Sequence, residues 1–393
     1  MYFDNAATTM VPNEIVDIAH YYMRWEYANA GSIHYAGTSI KNKINQARHT
    51  IAECIGAGAE QIIFTSGGSE SNTLAIVGLI NHLKNIGKPY IVSSEIEHPS
   101  VLAALDYASS VGINVLKLPV SRDGIVDTGL LKKWVEQYDI GLVSVMAVNN
   151  EIGSIQDVEA IGRICRKNNI LFHADCVQAI GTVEIDAKKM NIDFLSVSGH
   201  KFHAPKGIGF LYARNKELLH PIIFGGGQEY SLRSGTENVP GIMGMAQAMR
   251  NEVGDEVYKT HVLIENDSVS RVKKIFSDNV QKLCKEQGII VHFNGNSKDN
   301  KSKIVNLRFP GIDGQTLVLM CSAKGMCISA GSACKSNSSK PSHVLRAIGL
   351  SEDEALSSVR VSFSRYNTAQ EACDGAGIIV QCVKEMLEGN YDE

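Results

Sequence analysis

The sequence predicts an α/β protein: a mostly parallel sheet flanked by helices, followed by a smaller α+β unit. Short apolar, β-prone runs alternate with helical patterns over more than half of the 393 residues, which is typical of a parallel sheet covered on both faces. A long helical pattern begins near Val239, and the strands beyond it no longer alternate regularly with helices. A chain of 393 residues can bury large cores, and this length suggests two or three domains.

Most of the predicted strands belong to the first unit. They span 61–65, 90–94, 114–118, 142–148, 170–175, 193–197 and 207–212, with helices at 14–25, 40–55, 73–85, 101–111, 129–137 and 158–168. In the second unit we predict strands 289–293, 304–309 and 359–362, with helices at 314–321, 344–348 and 371–387. We expect a large domain over residues 13–258 and a small domain that combines residues 1–12 with 259–393.

Composition narrows the class of partner and the compartment. The net charge of −4, with no basic run, gives no attraction for nucleic acid or for an anionic membrane surface. No apolar stretch is long enough to span a bilayer, and the first residues lack a signal-peptide pattern. Nine cysteines without Cys-x-x-Cys spacing argue against a zinc ribbon and fit a reducing cytosol. We therefore expect a cytoplasmic protein with no metal site.

Two strand ends carry the residues on which the chemistry depends. The strand 170–175 ends at Asp175, and the run 193–197 ends at Ser198-Gly199-His200-Lys201. Open α/β sheets bind ligands at the carboxyl edge of their parallel strands, so both residues should face one site. A desolvated lysine is a usable amine nucleophile. Taken singly, a strand-end aspartate more often caps a helix, and a lone loop lysine is more often solvated.

A glycine-rich turn follows the first predicted strand. Ser66-Gly67-Gly68-Ser69 joins strand 61–65 to a helix, a geometry in which backbone N–H groups and the helix dipole hold a phosphate. The Gly-x-Gly-x-x-Gly dinucleotide fingerprint is absent, which disfavours a dehydrogenase.

Together these residues resemble the fold-type I enzymes that use pyridoxal 5′-phosphate (PLP), and most closely the cysteine desulfurases of the class V aminotransferase group. The resemblance implies that Lys201 holds PLP covalently and that Asp175 pairs with its pyridinium nitrogen. It also implies phosphate ligands at Gly68, Ser69, Ser198 and His200, and ring-hydroxyl ligands at Asn150 and Gln178. Thr236 matches a ligand that this family supplies from the partner subunit, which implies a homodimer.

His98 follows the predicted strand 90–94 and precedes Pro99. By itself this pattern is an ordinary helix N-terminus signal. The family resemblance places His98 over the cofactor ring, where a histidine stacks and moves protons near neutral pH.

Cys334 lies in the small, polar segment 329–341, which has no apolar period and should be a mobile loop. Lys335 beside it favours the thiolate. The segment, with Pro341-Ser342-His343-Val344 after it, resembles the active-site loop of cysteine desulfurases. A thiolate on a mobile loop could take sulfur from PLP-bound cysteine and carry a persulfide to an acceptor.

Arg360 and Asn29 complete the implied substrate site. An arginine at a β position is usually a surface residue, but the family uses one here to hold the substrate carboxylate at two points. Asn29 and His34 match the family's Asn-Pro-x-Ser-x-His segment, with Ala30 in place of the proline.

The resemblance thus implies a cysteine desulfurase that converts L-cysteine to L-alanine and a persulfide on Cys334. The acceptor would be a protein, either an iron–sulfur scaffold or a tRNA-thiolation enzyme. Selenocysteine lyase or another class V reaction is the alternative, and a sulfur-carrier scaffold that uses Cys334 without PLP is an alternative of a different class. The remaining cysteines are interpreted as core thiols: 54, 165, 176, 284, 321, 327, 373 and 382.

Overall fold

A computed structural model describes residues 1–254, 259–330 and 341–389, without the side chains of 259–267. Cys334 and the rest of 331–340 therefore lie outside the described residues.

The larger sheet has seven strands and is mostly parallel, as predicted. They are β1 (Ile62–Thr65), β2 (Tyr90–Ser94), β3 (Asn114–Leu118), β4 (Ile140–Ser144), β5 (Leu171–Asp175), β6 (Phe194–Ser198) and β7 (Gly209–Ala213). Their order is β1-β7-β6-β5-β4-β2-β3, and only β7 runs antiparallel to its neighbours. Because β1 and β6 both oppose β7, the carboxyl ends of β1, β6, β5, β4 and β2 meet at one edge.

Helices cover both faces of this sheet. They are α1 (Asn13–Arg24), α2 (Tyr35–Cys54), α3 (Gly68–Val77), α4 (Ile80–Asn85), α5 (Pro99–Ser110), α6 (Thr128–Gln137), α7 (Val158–Lys167) and α8 (Val239–Val253). Successive strand residues enter different clusters: Val143 packs into one apolar core and Leu142 into the other. Strands buried on both faces explain why the sequence shows continuous apolar runs rather than alternation.

The smaller sheet is antiparallel, with the order β10-β11-β9-β8. Its strands are β8 (His292–Phe293), β9 (Ile304–Arg308), β10 (Ser329–Ala330) and β11 (Ser358–Ser362), and its helices are α9 (Lys259–Gln287), α10 (Gly314–Ala323), α11 (His343–Ala347), α12 (Glu352–Leu356) and α13 (Ala369–Leu387). Phe3 packs in this core, 5.3 Å from Phe363 and 6.1 Å from Phe276 between ring centroids. The limits assigned to the two domains remain a prediction.

Several predicted elements differ in extent. The helix predicted over 73–85 is broken between α3 and α4, where Gly78 approaches the carbonyl of His220 too closely for a side chain. The strand predicted over 142–148 ends at Ser144, and β10 and α12 were not predicted. Two cysteines interpreted as core thiols, Cys327 and Cys373, are exposed. No helix in the described part of the chain is long and apolar enough to cross a membrane.

Candidate active site

Asp175 is held as a fixed carboxylate at the carboxyl edge of the sheet. It ends β5 and is only 3% exposed. Its Oδ2 accepts a hydrogen bond from Asn72 Nδ2 at 2.7 Å, and its Oδ1 accepts one from the Val177 N–H at 3.0 Å. These two donors hold both oxygens of the carboxylate, so its position is set by α3 and by the turn after β5.

Lys201 lies on the neighbouring strand end, in a 3₁₀ turn that directly follows β6. Its Nζ donates to the carbonyls of Ala6 and Ala7 at 2.7 and 2.8 Å. Lys303, itself half-buried, donates from Nζ to the Lys201 carbonyl at 2.8 Å. The N-terminal segment therefore orients the Lys201 amine. Lys303, which directly precedes β9 of the small sheet, holds the Lys201 backbone.

A chain of hydrogen bonds links Asp175 to His98. Asn72 Nδ2 donates to both Asp175 and Ser100 Oγ, the latter at 2.9 Å, and Ser100 Oγ lies 2.8 Å from His98 Nδ1. Nδ1 also accepts from the Ser100 N–H at 3.1 Å, so the network places the proton of a neutral imidazole on Nε2. Burial lowers the pKa of His98, and the charge of Lys201 lowers it further, against the opposing effect of Asp175.

The glycine-rich turn lies at the same edge. α3 begins at Gly68, and the first N–H groups of a helix have no partner within it. A Cβ on Gly68 would lie 2.6 Å from Val177 Cγ2, and one on Gly67 would lie 3.3 Å from Ser198 Oγ. Only glycine therefore leaves this space open. His200 Nδ1 lies 3.2 Å from Thr8 Oγ1, and burial lowers its pKa to about 4, so it is neutral at pH 7.

The residues present fit PLP. Open backbone donors at the start of α3 suit a phosphate, and the fixed Asp175 carboxylate suits a protonated pyridine nitrogen. Gln178 donates from Nε2 to the Ala6 carbonyl at 2.9 Å, while its buried Oε1 has no hydrogen-bond partner among the described residues. A buried amide oxygen without a donor is costly, so it indicates a missing ligand at this position.

Arg360 lies on β11 with its side chain 5% exposed. Its Nη2 donates to Asp4 Oδ1 at 2.8 Å and to Ser329 Oγ at 3.2 Å, and its Nη1 donates to the Asn150 carbonyl at 2.9 Å. The contact with Asn150 joins the small sheet to the turn after β4. The guanidinium is therefore oriented next to the edge where Asp175 and Lys201 lie.

Within the single chain, Asn29 and Thr236 do not lie with the site residues at the carboxyl edge of the sheet. Both are exposed. Asn29 Oδ1 accepts a local bond from the Gly31 N–H at 2.8 Å, and His34 Nδ1 accepts from the Gly37 N–H and caps α2. Thr236 lies on the turn before α8. Ser69 and Ser198 lie at the ends of their elements as expected, but their roles as ligands remain predictions.

Sequence reasoning missed the residues that hold the predicted site residues and the neighbouring segments in position. They are Asp4, Asn72, Glu97, Glu151, Lys303 and Ser329. Burial raises the pKa of Glu97 to about 8 and that of Glu151 to about 7. Glu151 accepts from Ser342 Oγ, and His343 Nε2 lies 2.9 Å from the Glu97 carbonyl, so the start of α11 is fastened beside His98. The available signal was the polar residue Asn72, which directly precedes the helix predicted over 73–85 and lies one turn into the observed α3.

Comparison with known proteins gives the class to which this fold and site belong. The chain belongs to the aminotransferase class-V family, whose model matches residues 1–373, and within it to the cysteine desulfurases. The cysteine desulfurase IscS of Methanosarcina thermophila is 39% identical over 98% of this chain and 92% of its own length. A putative cysteine desulfurase of Bacillus subtilis is 37% identical over 98% of this chain and 99% of its own length.

Solved structures agree with this family. A NifS-like protein superposes with a TM-score of 0.87 at 33% identity, covering 99% of both chains. The structure of SspA in complex with cysteine gives a TM-score of 0.78 at 33% identity, over 93% of this chain and 99% of that one. The fold-type I architecture and the resemblance predicted from the sequence are confirmed.

Proposed function

We propose that this protein removes sulfur from L-cysteine with PLP held on Lys201, giving L-alanine and a persulfide on Cys334. The observation that carries the proposal is the hydrogen-bonded chain from Asp175 through Asn72 and Ser100 to His98, beside the Lys201 amine. Family membership supports the same activity, since the curated relatives above are cysteine desulfurases.

Bound PLP would supply an electron sink for the electron pair left on the substrate carbon when its bond to sulfur breaks. Asp175 would hold the pyridine nitrogen protonated, with its own oxygens fixed by Asn72 and Val177. The donors at Gly68 and Ser69, with Ser198 and His200, would hold the phosphate. Gln178 and Asn150 would hydrogen-bond the ring hydroxyl.

His98 and Arg360 act on the substrate in this proposal. Neutral His98 presents the N–H of Nε2 to the substrate as a proton donor, because its Nδ1 is already engaged as the acceptor of the Ser100 N–H. Arg360 holds the substrate carboxylate. Asn29 is assigned to the substrate by the family resemblance alone, since it is exposed and lies apart from Arg360 within one chain.

Cys334 acts as the nucleophile, although it lies outside the described residues. Its thiolate forms a bond to the substrate sulfur as the carbon–sulfur bond breaks. The carbon keeps the electron pair and takes a proton, which yields L-alanine. The sulfur stays on Cys334 as a persulfide, which a thiol acceptor then removes.

The partners we propose are a second copy of this chain and a protein that accepts sulfur. The exposed Thr236 would serve the phosphate site of the other subunit. The acceptor would be an iron–sulfur scaffold or a tRNA-thiolation enzyme, and the chain's net negative charge gives no support for direct binding of nucleic acid.

Substitution of Cys334 tests the proposal directly. Cys334→Ala should keep cofactor absorbance between roughly 380 and 430 nm while losing nearly all release of sulfide and alanine from L-cysteine. Cys327→Ala is the matched control, because Cys327 is exposed and precedes the same segment. Borohydride reduction followed by peptide mapping should place the pyridoxyl tag on Lys201. Sulfide release at the wild-type rate by Cys334→Ala would remove Cys334 from the reaction.

A further inference from the structure

The hydrogen-bonding capacity of Arg360 Nη2 is fully used in this structure. Nη2 carries two hydrogens, and it has two acceptors, Asp4 Oδ1 at 2.8 Å and Ser329 Oγ at 3.2 Å. Nη1 has one acceptor, the Asn150 carbonyl. Nε is buried and has no hydrogen-bond partner among the described residues.

A two-pronged contact with a carboxylate needs one edge of the guanidinium, and Nη2 belongs to both such edges. One edge is formed by Nε and Nη2, and the other by Nη1 and Nη2. The donors left over, Nε and one hydrogen of Nη1, do not share an edge. A substrate carboxylate can therefore bind Arg360 at two points only if Asp4 or Ser329 gives up its hydrogen on Nη2.

The two acceptors are held very differently. Asp4 is charged, and its backbone is fixed by a bridge to Ser362 on β11. The next residue, Asn5, also donates from Nδ2 to the Ser362 carbonyl at 2.9 Å. The Ser329 hydroxyl is neutral, makes the longer bond, and can leave by rotation about one side-chain torsion. Its backbone stays paired with Arg360 across β10 and β11.

We propose that the Ser329 hydroxyl stands in for one oxygen of the substrate carboxylate and is replaced by it, while Asp4 stays and keeps Arg360 aimed. This inference rests on the proposed function, in which Arg360 receives that carboxylate. Ser329 and Asp4, two acceptors of one nitrogen, then affect substrate affinity in opposite directions. Ser329 weakens carboxylate binding by competing for Nη2, whereas Asp4 is a positioning residue that strengthens it.

The test measures the KM for L-cysteine and the dissociation constants of L-alanine and ethylamine by calorimetry, on protein loaded with PLP. Ser329→Ala should lower the KM and the L-alanine constant by about three- to tenfold, the order of one net hydrogen bond. Asp4→Asn should raise both by about tenfold or more, because a charge-assisted bond is lost. Ethylamine, which lacks a carboxylate, should bind the variants and wild type alike. Ser322→Ala, an exposed serine on α10, is the matched control and should change nothing.

Poor folding cannot imitate the expected result, since damage to the site would raise the constants of Ser329→Ala rather than lower them. Unchanged or raised constants for Ser329→Ala, with active wild-type protein, would overturn this inference and leave the proposed function standing. Lower constants for Asp4→Asn would also overturn it, because Asp4 would then be the group displaced. Wild-type protein that neither turns over L-cysteine nor binds L-alanine would overturn the proposed function, and this inference with it.

Discussion

His98 shows how the surroundings of one residue set its protonation. It caps the N-terminus of α5 and accepts the Ser100 N–H. Burial lowers its pKa, and the charges of Lys201 and His343 act in the same direction, while Asp175 opposes them. The imidazole is therefore neutral at pH 7, with its proton on Nε2.

The pH dependence of turnover should report this shift. Because the pKa of His98 is lowered, the acid limb of kcat/KM for L-cysteine should lie below about 6.5, the ordinary histidine value. His98→Gln should reduce kcat by about a hundredfold or more, the usual contribution of a general acid–base group. The measurement is steady-state kinetics from pH 5 to pH 9, and an acid limb above the ordinary histidine pKa would contradict the assignment.

At the scale of strands, His173 links three adjacent strands of the large sheet by hydrogen bonds. It lies in β5, with Nδ1 2.8 Å from Ser144 Oγ in β4 and Nε2 2.9 Å from Ser196 Oγ in β6. Burial lowers its pKa to about 3. The folded protein therefore holds this imidazole neutral over a range where the unfolded chain protonates it.

Acid should destabilise the protein through this residue. Between the folded pKa of about 3 and the unfolded value of about 6.5, the unfolded state binds more protons, so the free energy of unfolding falls as the pH falls. From pH 7 to pH 5 this one group should remove about 2 kcal/mol. His173→Gln should show a smaller loss over the same interval, measured by urea unfolding at both pH values. An equal loss in variant and wild type would show that His173 is not responsible.

The start of α3 offers a second test at this scale. Gly68→Ala places a methyl group 2.6 Å from Val177 Cγ2, in the space that the proposed phosphate needs. The dissociation constant of PLP, measured by titration of the apoprotein, should rise by about tenfold or more, which is at least 1.4 kcal/mol. Gly377→Ala on α13 is the matched control, since open space surrounds that position. Equal PLP affinity in both variants would contradict the assignment of the phosphate site.

Across the whole molecule, the N-terminal segment 4–9 connects the two sheets. Asp4 pairs with Arg360 of the small sheet, and Ala6 and Ala7 accept from Lys201 at the end of β6. The backbone and side chain of Thr9 donate to the His200 carbonyl, both at 3.0 Å. The relative position of the proposed carboxylate and amine sites therefore depends on a short stretch of backbone.

The proposed homodimer can be tested by complementation between subunits. In a heterodimer of Lys201→Ala and Thr236→Ala chains, one site would keep its own Lys201 and receive an intact threonine from the other subunit. We therefore expect about half of wild-type activity per dimer, and much lower activity in either variant homodimer. No gain in the heterodimer over the Thr236→Ala homodimer would show that Thr236 does not act across subunits.

Much of the site could be read from residue types at strand ends. Asp175 and Lys201 close adjacent parallel strands, and Gly68 starts a helix after another strand. Such positions are local, so an apolar run and its last polar residue mark them as candidates. Asp4 and Ser329 could not be found in this way, because each meets Arg360 across a separation in the chain that no periodicity records.

The sequence by itself determined the α/β class and the order of most elements, because hydrophobic period and turn residues act over a few positions. Its resemblance to a known family gave the principal candidates Lys201, Asp175, His98 and Cys334. Only the tertiary structure decided that Asn72 and Ser100 join Asp175 to His98 by hydrogen bonds. It also decided that Lys303 donates to the Lys201 carbonyl and that Arg360 donates to the Ser329 hydroxyl. These contacts satisfy polar groups that folding has removed from water. Their partners are selected by three-dimensional proximity rather than by neighbouring sequence.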